Sequence, residues 1–146
     1  MTAMLKQSSP RDLAAVLLER GVITQSQYAA AEKEAQSKRV PTTTILEQQG
    51  LVRDEELAKA RAEVFQIPYI DLQGRVISHD LLNIIPRDLA QNYQIVAFAK
   101  EGQSLSIALV DPTNFRALEA VEFLARTGGL TIEYFITAAS ALSSIL

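Results

Sequence analysis

Arg11-Asp-Leu-Ala-Ala-Val-Leu-Leu-Glu-Arg-Gly-Val-Ile-Thr24 is answered at a constant offset by Val40-Pro-Thr-Thr-Thr-Ile-Leu-Glu-Gln-Gln-Gly-Leu-Val-Arg53, so the chain carries one unit twice. Gly21 and Gly50, 29 positions apart, fix the register. At that offset Val16 matches Ile45, Leu17 matches Leu46, Ile23 matches Val52, Tyr28 matches Leu57, Ala31 matches Ala60 and Ala35 matches Val64. A period of this length marks a supersecondary unit that cannot bury its apolar side alone and stacks on its copy.

Each copy reads as helix, turn, helix. Leu13, Val16, Leu17 and Ile23 share one side of the first helix, and Gly21 ends it from a position suited to left-handed backbone angles. Thr24 opens the next helix with Gln27 as a capping-box partner, and Tyr28, Ala31 and Ala35 carry its apolar side. In the second copy Pro41 stands at a helix start, where its missing N–H costs nothing, and Gly50 closes. Asp54, Glu55 and Glu56 then occupy a first helical turn, where the helix dipole favours negative charge.

Outward from the repeat, Met1 to Ser9 reads as a flexible lead, with Ser8-Ser9-Pro10 as a cap and helix start. Residues 10–65 form a helical subdomain and 66–146 a second, α+β subdomain. Ile67-Pro-Tyr-Ile-Asp-Leu72 reads as a strand at an edge, because of Pro68. Asp80 to Asn92 is helical but broken at Pro86. Gln94 to Lys100 and Ser104 to Val110 form a hairpin across Glu101-Gly102-Gln103, with Leu105, Ile107 and Leu109 on the buried face. Asp111-Pro-Thr-Asn114 is a structural turn that launches the helix Phe115 to Arg126. Leu130 to Ile136 is the last strand, and Ala138 begins a last helix. The fold class is α+β: tandem helix-turn-helix units of four helices, then a small α/β sandwich in the order β-α-β-β-α-β-α.

Composition excludes several functions. A net charge of −3 and a pI near 5.2 give no basic face for nucleic acid. A sheet that stacks RNA bases needs exposed aromatics on its central strands, and Ser104 to Val110 has none. There is no cysteine and one histidine, which leaves no zinc set. No apolar run reaches the length of a membrane span, so membrane association would come through partners.

No G-x-x-x-x-G-K-[ST] phosphate loop occurs, and no serine has a histidine and carboxylate set beyond His79, which reads as a turn or capping residue. Glu119 with Glu122, one helical turn apart, reads as a solvated face. The basic connector Gln36-Ser-Lys-Arg39 is either a solvated helix end or a ligand contact.

The doubled unit, followed by Phe65-Gln-Ile-Pro-Tyr-Ile-Asp-Leu72, Ile85-Pro-Arg-Asp-Leu89 and Leu105-Ser-Ile-Ala-Leu-Val-Asp-Pro-Thr-Asn114, resembles the N-terminal domain shared by type II secretion and type IV pilus assembly ATPases, the MshE-type N-terminal domain. The resemblance runs from about Arg11 to Leu146. It implies a segment without catalysis of its own, preceding a hexameric ATPase core, cytoplasmic and peripheral at the inner membrane. The partners it implies are a PilZ-type regulator or the cytoplasmic part of an inner-membrane platform protein, together with the chain's own ATPase core. A docking role of this kind calls for an exposed apolar patch, expected on the helical half.

Some members of that family bind cyclic di-GMP through two tandem motifs that open with Arg-Leu-Gly and continue with a leucine one turn before a glycine and another leucine after it. The resemblance places candidate contacts at Arg11, Leu17, Gly21, Arg39, Leu46, Gly50 and Leu57. The opening triplets, however, are Asp12-Leu13-Ala14 and Pro41-Thr42-Thr43, and Tyr28 replaces the later leucine of the first copy. An arginine fork donates paired hydrogen bonds to a guanine edge or a phosphate, and each charged hydrogen bond contributes roughly 1.5 to 3 kcal/mol. With both aligned arginines displaced to Arg11 and Arg39, weak or absent cyclic di-GMP binding is expected, and the sequence stands closer to pilus extension ATPases regulated through a partner protein.

Overall fold

A computed structural model describes residues 13–146. The expected lead, the Ser8-Ser9-Pro10 cap and Arg11 lie outside the described residues. The chain forms two compact units that divide between Gln66 and Ile67.

In the first unit the described helices are α1 (Leu13–Glu19), α2 (Gln25–Lys38), α3 (Thr42–Gln48) and α4 (Asp54–Phe65). The helix-ending turns of the repeat are reproduced hydrogen bond by hydrogen bond. The amides of Val22 and Leu51 each donate to the carbonyl five residues back, Leu17 and Leu46, at 3.0 Å. The amides of Gly21 and Gly50 donate to Leu18 and Glu47, also at 3.0 Å. This is the helix-ending pattern that satisfies orphan carbonyls around a left-handed residue. Gly21 and Gly50 supply it, with φ of +77° and +72°. Gly50→Ala meets open space at the new Cβ, so its cost is backbone strain alone, about 1 kcal/mol by urea denaturation.

The second helix of each copy opens alike as well. Gln27 Oε1 accepts from the Thr24 amide at 2.9 Å, and Glu56 Oε1 accepts from the Arg53 amide at 3.0 Å. Thr24 completes its box by accepting from the Gln27 amide.

Copies bury each other. α1 packs on α4 and α2 on α3, so the main contacts run between repeats. The shared core contains Val16, Leu17, Ile23, Ala31 and Ala35 with their matched residues Ile45, Leu46, Val52, Ala60 and Val64. Arg20 reaches from the end of α1 to Glu63 on α4 at 2.9 Å, an exposed pair of small energetic weight.

The second unit contains α5 (His79–Leu82), α6 (Arg87–Tyr93), β1 (Ile95–Glu101), β2 (Ser104–Leu109), α7 (Phe115–Gly128), β3 (Thr131–Ile136) and α8 (Ala139–Ile145). Pro86 separates α5 from α6 as its missing N–H requires, and it stands at the N-cap of α6. The sheet order is β1-β2-β3, antiparallel between β1 and β2 and parallel between β2 and β3. The register shifts between Ala97 and Ala99, leaving Phe98 as an extra residue in β1.

Ile67 to Leu72 differs from expectation. It is not a full strand but touches β3 through one bridge, Tyr69 with Ile136, the Ile70 amide donating to Ile136 and the Ile136 amide to Pro68, both at 2.8 Å. The segment cannot pair further toward its start, because the next parallel bridge, Ile67 with Tyr134, would need an N–H at residue 68, and Pro68 has none. β2 departs in a second way: Ala108 is buried along with Leu105, Ile107 and Leu109, since a central strand is covered on both faces.

Candidate functional site

The seven candidate ligand contacts separate into scaffold and surface. Leu17, Leu46 and Leu57 are core residues, at most 2% exposed. Gly21 and Gly50 lie at the surface in the helix-ending turns. Arg39 is exposed and left-handed, φ +59°, as the C-cap of α2. Arg11 lies outside the described residues. What the repeat displays is therefore a pair of like-shaped turns, with the leucines beneath holding them. At the opening of the second copy Pro41 is the N-cap of α3 and contributes no side-chain hydrogen bond there, so that position offers no cation to an anionic ligand.

The Asp111 turn is structural throughout. Asp111 Oδ1 accepts from the Thr113 amide at 2.9 Å and from its hydroxyl at 2.6 Å, while Asn114 caps α7 by accepting from the Ala117 amide at 3.2 Å. His79 follows the cap rather than forming it: Ser78 Oγ accepts from the Leu81 amide at 3.3 Å, and His79 is the first residue of α5. It borders a cleft of about 260 Å³ with Arg87 over an apolar floor of Leu82, Ile85 and Ala90. Among the described residues no cluster of three or more histidines, cysteines or carboxylates is placed to hold a metal, and no helix is long and apolar enough to cross a membrane.

Exposure picks out a surface that the sequence reading passed over. The exposed large apolar residues among the described ones are Val76, Phe115 and Phe123, all in the second unit. Among the described residues the helical half exposes no large apolar side chain, so the patch expected there is not found. Phe115 and Phe123 stand 73% and 58% exposed on α7, opposite Ala117, Val121 and Ala125, which face the core. The signal was available in the helical period, since those alanines and the valine already supply a complete buried stripe.

Beside this surface the Tyr134 hydroxyl of β3 donates to Glu122 Oε2 at 2.9 Å. Burial, the hydrogen bond to Glu122 and that carboxylate's charge, in this order, raise the phenol above its ordinary value near 10. A raised folded-state value makes the associated stability complete below about pH 10 and lost as pH rises through the folded value. Glu122→Gln removes the charge, and phenolate absorbance should then emerge at lower pH than in the parent chain.

The MshEN domain family matches residues 65–146, the greater part of the chain. The chain belongs to that family. MshEN relatives include the type IV pilus assembly ATPase PilB of Myxococcus xanthus, 25% identical over 112 residues, and that of Pseudomonas aeruginosa, 27% identical over 117. These alignments take in 77% and 80% of this MshEN chain but 20% of each relative, so it spans about a fifth of their length. Its fold is that of MshE with cdg, cyclic di-GMP (TM-score 0.73, 22% identity, 92% of this chain and 95% of that one). It is likewise that of the N-terminal domain of XpsE (TM-score 0.65, 19% identity, 92% and 94%). This MshEN chain thus shares the fold of the XpsE N-terminal domain and is similar in sequence to part of the pilus assembly ATPase PilB.

Proposed function

We propose that this chain is the non-catalytic docking and regulatory domain of a type IV pilus extension ATPase, which couples the motor to a PilZ-type cytoplasmic regulator or to the cytoplasmic part of an inner-membrane platform protein. The observation that carries this is the pair of exposed phenylalanines on α7. Apolar surface left in water is costly, and a rim of charged residues around it is the usual mark of a protein contact. The likeness to PilB supports the pilus setting. In this function the domain is cytoplasmic and held at the inner membrane by its partner, and catalysis belongs to an ATPase core. The test is a pull-down with the full-length ATPase. Retention of either partner is the expected result, and loss of every pilus or secretion component would overturn it.

A second function, cyclic di-GMP sensing, is favoured by the MshE structure with that ligand and by the duplicated turns at Gly21 and Gly50. Against it, Pro41 stands where a motif arginine would. Calorimetric titration of cyclic di-GMP separates the two. We expect no saturable heat at tens of micromolar protein. Saturable binding that Arg39→Ala abolishes would make the domain a second-messenger sensor; alanine leaves the backbone at residue 39 as strained as arginine does, so the variant tests the side chain alone.

A further inference from the structure

We propose that the outward face of α7 is the docking surface itself, and that its occupant is a basic amphipathic segment of a partner protein. The proposal deepens the docking function above and rests on it. At about 100° per residue, Phe115, Glu119, Glu122 and Arg126 fall within about 60° of arc on α7, and Phe123 borders them. With half-buried Leu118, the first four line a shallow recess of about 470 Å³. Aromatic rings thus mark both ends of a two-turn stretch, with the Glu119 carboxylate at its middle and that of Glu122 beside Phe123.

Charge decides which occupant fits. The Tyr134 hydroxyl holds the Glu122 carboxylate in place, so at least one of the two acids is oriented before anything binds. An incoming helix that sets apolar residues on Phe115 and Phe123 brings its intervening positions over Glu119 and Glu122. Lysine or arginine there gains opposite-charge contact, whereas glutamate or aspartate is repelled. Arg126 lies at the end of the recess and Arg116 at its flank, which confines the acidic character to the centre.

A second copy of the chain fits poorly for the same reason. A two-fold axis that stacks Phe115 of one copy on Phe123 of the other passes through residue 119, midway between them. Glu119 would then meet its own counterpart. Like charges brought together in a contact discriminate against that pairing, so the face selects a different protein over self-association.

The test uses the chain with a fluorescently labelled four-turn amphipathic peptide of leucine and lysine, beside a second peptide with glutamate in place of lysine, both followed by anisotropy. The lysine peptide is expected to bind saturably, several-fold more weakly when salt rises from about 50 to about 300 mM, and the glutamate peptide not to bind. Phe123→Ala and Glu119→Lys should each weaken the lysine peptide about tenfold. Both positions are exposed, and melting curves verify that the variants fold.

Equal binding of the two peptides, or unchanged affinity in both variants, would overturn the proposal. Concentration-dependent dimerisation abolished by Phe123→Ala would overturn it in favour of a second copy. If the lysine peptide fails to bind while the full-length ATPase still retains a pilus partner, this surface is wrong and docking stands. If both fail, docking falls too.

Discussion

Leu46→Ala should lower stability by about 3 kcal/mol, measured by urea denaturation, and Leu17→Ala by a similar amount. Both leucines are fully buried in the shared core of the helical unit. Truncation removes three carbons that the opposite repeat packs against, and the cavity cannot collapse without moving a helix that also carries a capped turn. Each leucine lies one turn before the glycine where its helix ends, and its carbonyl accepts from the amide of the residue just after that glycine, Val22 or Leu51. Loss of packing there therefore loosens the turn above it. One consequence concerns ligand assays: a leucine variant that fails to bind cyclic di-GMP has lost its scaffold, and the failure says nothing of contact. Arg39→Ala is free of that confusion, because Arg39 is exposed.

The second large effect is expected at the centre of the sheet. Ile107 is 0% exposed on β2, paired with Ala97 on one side and Tyr134 on the other. Ile107→Ala should cost about 3 to 4 kcal/mol and Ile107→Val about 1 kcal/mol, because valine keeps the β-branch and loses a single methyl. If the two substitutions cost the same, the site relaxes around the loss and the packing described for β2 is not tight. The neighbourhood makes relaxation hard, because Leu105 and Leu109, two residues away on the same face of β2, are buried as well. On the opposite sheet face, away from α7, Phe98 and Phe135 meet edge to face with ring centres 5.2 Å apart, and the Arg75 guanidinium lies 5.3 Å from the Phe98 ring centre.

Most of the helical unit was legible in the sequence because its determinants are local. Gly21 and Gly50, Thr24 with Gln27, and the acidic turn at Asp54 act within one or two helical turns of themselves, so their spacing suffices to place helix ends. The hairpin between β1 and β2 was legible for the same reason. Ile67 to Leu72 was not. Its β-branched and aromatic composition is that of a strand, but Pro68 has no N–H to extend the ladder toward its start and the chain turns between Asp71 and Arg75, which leaves a single bridge.

The candidate site was legible in its spacing and opaque in its roles. Periodicity finds Leu17, Leu46 and Leu57 whether they touch a ligand or hold up a turn, and burial then places them beneath the surface. Phe115 and Phe123 were hidden differently. An aromatic residue in an amphipathic helix is assigned to the core by default, and only the small residues Ala117, Val121 and Ala125, which let α7 sit close to the sheet, reveal that the rings have no room beneath it.

The lone bridge between Tyr69 and Ile136 also bears on how the chain behaves in concentrated solution. Backbone groups of Ile136 point to the outer edge of β3, so by the strand's alternation those of Ile132 and Tyr134 point there too, and among the described residues Ile136 is the position of that edge that is paired. Thr131 to Ile136 is rich in β-branched and aromatic residues, which makes it a template for growth of an intermolecular sheet. Glu133, exposed between the two open positions, stands as a gatekeeper: a second copy of the strand laid along this edge with the two glutamates opposite each other would set like charges side by side, which opposes that pairing.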